Sequence, residues 1–135
     1  MNYAQFRRTA VLAMPLFWAT LAFTFYMAVK PVTGGQSLFP WDKAEHFTAF
    51  YVLTGIGAAA FSRRPLWLVG ALLSAFGALI EIVQATPLVH RDCDFWDWVA
   101  DTLGVLAVIA PTLLPAWRAW RVSPSVAASK AATGG

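Results

Sequence analysis

From Pro65 to Ile80 the chain reads PLWLVGALLSAFGALI, without one charged side chain, and this stretch limits the available folds more than any motif does. A helix crosses the hydrocarbon core of a bilayer with roughly 20 mostly apolar residues. Flanked by Arg64 and Glu81, the stretch anchors a span over about 66–86. Three others resemble it in length and apolarity. One runs over 9–29, after Arg7-Arg8 and before Lys30-Pro31; one over 42–61, opened by Trp41-Asp42; one over 95–114, closing at Pro111 and Pro115. Composition agrees: 59% of residues are hydrophobic and 13% charged, against about 25% charged in soluble domains.

The expected fold is therefore all-α, a polytopic bundle of four transmembrane helices forming one domain over 1–121. A Ser-, Ala- and Gly-rich tail over 122–135 has a disordered composition. The first span exceeds the length of a signal-peptide apolar region and ends in Phe25-Tyr26-Met27 rather than small residues, so it reads as a retained helix. Ser62-Arg63-Arg64-Pro65 is short enough to make the second and third helices an antiparallel hairpin. Gly55, Gly57 and Ala58 to Ala60 on the second helix, and Gly70, Ser74, Gly77 and Ala78 on the third, are small faces suited to close helix packing.

Four spans put Arg7, Arg8, Arg63, Arg64, Arg118, Arg121 and Lys130 on one side and Lys30, Lys43 and Arg91 on the other. Cytoplasmic loops carry the excess of Lys and Arg, so both termini are expected in the cytoplasm. The net charge of +3 is then a topology signal, not a nucleic-acid footprint. Tryptophans mark the same two interfaces, Trp41, Trp96 and Trp98 at one and Trp67, Trp117 and Trp120 at the other.

Every acidic residue, Asp42, Glu45, Glu81, Asp92, Asp94, Asp97 and Asp101, falls in or near the outer loops, together with His46, His90 and Cys93. Glu81 should lie some five residues inside the outer end of the third helix, roughly 8 Å down, with Gln84 on the same face. Asp94, Asp97, Trp98 and Asp101 form one helical stripe, and Asp42, Glu45 and His46 another. Lys43 and Arg91 are the nearby cations. First-turn capping and solvation account for Asp42, Glu45, Asp92 and Asp94. Glu81 and Asp101 lie deeper, where ionisable groups either hold helices together or serve a site.

His90 and Cys93 are zinc-ligand types, but one such pair falls short of a four-ligand pattern. Asp97, Asp101 and Glu81 could supply an oxygen-ligand site. Salt bridges among the same groups are the simpler reading, so neither a metal nor a cofactor is expected. A single cysteine excludes an intrachain disulfide.

These pieces resemble the VanZ-like family of small bacterial membrane proteins. The matching segments are Trp41-Asp42-Lys43-Ala44-Glu45-His46-Phe47, Glu81-Ile82-Val83-Gln84, Arg91, and Asp97-Trp98-Val99-Ala100-Asp101-Thr102-Leu103-Gly104. They correspond to the family's D-K-x-x-H-F, E-x-x-Q, arginine, and D-x-x-A-N-T-L-G. The family has asparagine where this chain has Asp101. Named for a protein associated with low-level resistance to teicoplanin, the family implies a role at the cell envelope and a place in the bacterial inner membrane, but no settled activity.

Residues and resemblance together point to an outward-facing polar pocket for a lipid-linked or anionic envelope molecule. Asp42, Lys43, Gln84, Arg91 and Asp101 would bind it. The alternative is a membrane-embedded hydrolase or transferase on lipid-linked envelope precursors, with Glu81 or Asp97 as general base and His46 as acid–base partner. Transport is disfavoured because the acids and histidines sit at one rim, whereas transporter sites lie near the midplane. The expected partners are bilayer lipid and the envelope molecule.

Overall fold

The computed structural model describes residues 3–30, 41–87, 89 and 93–114, with side chains from residue 11 onward. The described residues form four helices and no strand: α1 (Tyr3–Val29), α2 (Asp42–Ala60), α3 (Leu66–Gln84) and α4 (Phe95–Leu113). Three of them, over Val11–Val29, Leu66–Gln84 and Phe95–Leu113, are long and apolar enough to cross a membrane. α2 matches α3 and α4 at 19 residues, about 28 Å of helix, but opens with Asp42, Lys43 and Glu45. The tail, together with His90, Arg91, Asp92, Trp117 and Trp120, lies outside the described residues.

Helix ends follow from local chemistry. Residues before proline avoid the α region, and α3 accordingly stops at Gln84, two residues short of the expected end before Pro87. Its last turn tightens there, with Thr86 N–H donating to Val83 O at 3.1 Å and the Thr86 hydroxyl to the same carbonyl at 2.6 Å. Asp94 caps α4, its Oδ1 accepting from Trp96 N–H at 2.9 Å. Leu114, ahead of Pro115, is extended and ends α4. Pro111, expected to end the span, instead lies inside α4, as Pro15 lies inside α1. Apolar bundles tolerate such prolines because neighbouring groups satisfy the freed carbonyls.

The expected α2–α3 hairpin is only weakly packed. α2 lies mainly against α4 and α1, α3 mainly against α4, and among the described residues α1 and α4 make no contact. The four helices therefore follow the order α1, α2, α4, α3 around a ring, with α2 and α4 parallel to each other and antiparallel to α1 and α3, and with α3 meeting α1 and α2 only sparingly. Gly104 explains the tight pair: a Cβ there would run into the backbone of Phe47 and Tyr51, so only glycine lets α4 approach α2 this closely. Gly57 faces Phe17 and Val69, and Gly70 faces Ile109 and Val105, as small packing positions should. Gly55 has open space around it and serves no contact.

The core is a column of Phe17, Phe50, Leu53, Leu73, Ile80 and Val105. Outside it, Leu12, Leu16, Phe23, Leu72, Ile82 and Leu106 are exposed. Large apolar side chains on the outward faces of long apolar helices are consistent with contact with lipid.

Candidate functional site

One end of the ring brings together the C-terminal ends of α1 and α3 and the N-terminal ends of α2 and α4. The polar side chains buried there are Glu81, Gln84, Asp97 and Asp101; Thr54 is the only other buried polar residue among those described. Each is fixed by a neighbouring helix.

From the first turn of α2, Lys43 Nζ donates to Asp94 Oδ2 at 2.5 Å and to Asp97 Oδ1 at 2.8 Å. A turn later, His46 Nδ1 lies 3.0 Å from Asp101 Oδ1, and its Nε2 lies 3.6 Å from Asp97 Oδ2. The stripe on α4 thus points where the sequence placed it, with Asp97 and Asp101 facing one histidine. Asp101 is fully buried, and its Oδ2 sits over Gly77, where a Cβ would come within 2.7 Å. Asp42, at the start of α2, is exposed.

Glu81 is buried for a reason the sequence reading did not identify. It lies in the last turn of α3, nearer the helix end than expected because Pro87 shortens the helix. The start of α4 covers it, and Asp94 N–H donates to Glu81 Oε2 at 3.1 Å. A capping-box glutamate does this for its own helix; here α3 caps α4. Gln84 was expected on the face of Glu81 and among the ligand-binding residues; its Nε2 donates to Ala28 O on α1 at 2.9 Å. That carbonyl belongs to the last turn of α1, and the amide ties α1 to the site.

Trp98 was expected at the interface. Its indole N–H donates to Ser74 O at 3.1 Å, and Ser74 Oγ meets Thr102 Oγ1 at 2.9 Å, stitching α3 to α4 below the acids. Exposed Trp41 and Trp96 stand at the polar end and exposed Trp67 at the other.

Three buried oxygens, Glu81 Oε1, Gln84 Oε1 and Asp101 Oδ2, have no hydrogen-bond partner among the described residues. All three are acceptors. Outside the spans, Asp94 is held below the ordinary carboxylate value, chiefly by its hydrogen bond from Lys43 and then by Trp96 N–H. The Cys93 thiol is pushed above its ordinary value by desolvation, followed by its contact with Glu81.

An open apolar groove of about 400 Å³ lies between α1 and α3, lined by Phe17, Trp18, Leu68 and Leu72 with Arg64 at its mouth. It shares no residue with the polar cluster, and its walls match the lipid-facing exterior. Comparison with protein-family models, with curated proteins and with solved structures finds no match.

Proposed function

We propose that the chain is a VanZ-like, four-span protein of the bacterial inner membrane, with both termini cytoplasmic. Its polar end would be an outward-facing binding site for a lipid-linked envelope molecule. α2 crosses with the others because it is as long as α3 and α4 and packs against both α1 and α4. The observation that carries the reading is the set of unpartnered acceptors on Glu81, Gln84 and Asp101 at one end of an otherwise apolar bundle. Buried polar groups without partners are costly, and a ligand that donates hydrogen bonds removes that cost.

This refines the chemistry of the ligand. Lys43, expected to hold an anion, is already shared by Asp94 and Asp97, so an anionic group would have to displace a carboxylate or rely on Arg91. A head group rich in hydroxyl or amine donors, such as a lipid-linked sugar, fits the acceptors directly. The enzyme reading keeps one supporting observation: His46 stands between Asp97 and Asp101, where a general base and its orienting carboxylate would stand.

Saturable binding of a polyprenyl-phosphate-linked sugar to protein in nanodiscs tests the proposal. Wild-type protein should bind it more tightly than bare polyprenyl phosphate. Glu81→Gln should weaken binding at least about tenfold while inserting and melting normally, because the amide oxygen still accepts Asp94 N–H but the charge is gone. Unchanged binding by that variant would remove the main support. Turnover of the sugar-linked lipid by mass spectrometry would favour the enzyme.

A further inference from the structure

The arrangement around His46 is not explained by a ligand that donates hydrogen bonds. The 3.6 Å between His46 Nε2 and Asp97 Oδ2 is too long for a hydrogen bond. It is close to the separation of two ligands on one metal ion, since bonds of 2.0–2.2 Å at a tetrahedral angle put donor atoms roughly 3.4 Å apart. Asp42 completes a group in which one ligand atom from each of Asp42, His46 and Asp97 lies within 4.8 Å of the others. We propose that Asp42, His46 and Asp97 bind a divalent transition-metal ion of the kind represented by Zn²⁺ and Mn²⁺.

The surroundings prepare these residues for that task. A carboxylate can only accept a hydrogen bond, so the Asp101 partner places the proton on His46 Nδ1 and leaves the Nε2 lone pair facing Asp97 and Asp42. Histidines that ligate metals almost always give their other N–H to such a group. Lys43 holds Asp97 through Oδ1 and leaves Oδ2 free. Asp42 is exposed, so a small side-chain rotation closes its gap, and water can reach the remaining coordination positions.

A second observation concerns charge. Glu81 and Asp101 are 7% and 0% exposed, and each leaves one carboxylate oxygen without a partner among the described residues. Both stand close enough to Asp97 and His46 to feel their charges. Among the described residues, Lys43 and His46 are the basic groups paired with the carboxylates of this cluster. An excess of desolvated negative charge is expensive, and a divalent ion held by Asp97 and His46 offsets it, since both residues are close enough to Glu81 and Asp101 for their charges to be felt there. The donors are imidazole and carboxylate, with the Cys93 thiol outside the group, which favours Zn²⁺ or Mn²⁺ over softer ions.

The inference does not depend on the envelope ligand, and its test uses the metal alone. Metal-stripped full-length protein in detergent is dialysed against Zn²⁺ or Mn²⁺, and bound metal is measured per chain. Wild-type protein should take up one ion. Asp42→Asn, at an exposed position that leaves the fold intact, should weaken binding at least tenfold, and His46→Gln should abolish it. Asp101→Asn, which can still accept from Nδ1, should cost about 10–100-fold, as changes to the partner of a ligating histidine do. Cys93→Ser should bind like wild type. No uptake by wild-type protein overturns the proposal. So does uptake that survives both Asp42→Asn and His46→Gln, or that is lost in Cys93→Ser.

Discussion

Gly77 matters at the residue scale because of what it lacks. Its missing Cβ is the space that Asp101 Oδ2 occupies, and an alanine there would press to 2.7 Å from that oxygen. Gly77→Ala should therefore lower stability by about 1–3 kcal/mol, the range for overpacking, read as a melting-temperature drop in detergent. Combined with Asp101→Ala it should cost less than the sum of the single changes, because the clash disappears with the carboxylate. Asp94 supplies a pH signature. Its folded carboxyl lies below the ordinary value of 3.8, so its contribution is fully present above that value and is lost as pH falls through the lowered one. The melting-temperature gap between wild type and Asp94→Asn should hold near neutrality and close on acidification below about pH 4; a gap that widened would contradict the Lys43 pairing. Asp97 and Asp101 could be read from the sequence because i, i+4 spacing sets two carboxylates on one face. The role of Gly77 could not, since it depends on which helix lies opposite.

At the scale of the helix, close approach decides the pairing. α4 packs on α2 because Gly104 presents no side chain to the backbone of Phe47 and Tyr51. Gly104→Ala cannot be absorbed by a rotamer change, as backbone lies on the other side. It should destabilise by at least about 1–3 kcal/mol and disturb the neighbouring His46–Asp101 contact, whereas Gly55→Ala, facing open space, should be silent. Equal melting temperatures for these two variants would show that α2 and α4 are not held this way. The four helices were legible in the apolar runs, and most ends fall within two residues of expectation because prolines and Asp94 mark them. The partners were less legible. The short connector after α2 suggested a hairpin, yet connector length fixes only that two helices run antiparallel. Side-chain volume on the facing surfaces sets which pair packs closest. Gln84 shows the same limit: its face was predictable, but not that α1 would offer it the carbonyl of Ala28.

For the whole molecule, the least apolar helix determines the topology. With the N-terminus cytoplasmic, as proposed, a crossing α2 puts Ser62 on the cytoplasmic side and Cys93 on the outer side. If only α1, α3 and α4 cross, both positions are exchanged, because one fewer crossing precedes each of them. Charge favours four crossings: this puts Arg63 and Arg64 with Arg7, Arg8, Arg118 and Arg121 on one side. Packing agrees, since α2 runs beside α1 and α4 at the same depth and its polar first turn meets the start of α4 at one end. A three-span arrangement would have to pull Lys43 and His46 away from Asp94, Asp97 and Asp101. The native cysteine makes the test direct, because Cys93 is exposed and is the only one in the chain. A membrane-impermeant maleimide should label wild-type protein from the periplasmic side of intact inner membranes. In a Cys93→Ser background, Ser62→Cys should label only after the membrane is opened. The opposite pattern would remove α2 from the membrane and place the polar end in the cytoplasm. An envelope ligand could not reach it there, and with α2 drawn away from α4 the Asp42, His46 and Asp97 group would come apart as well.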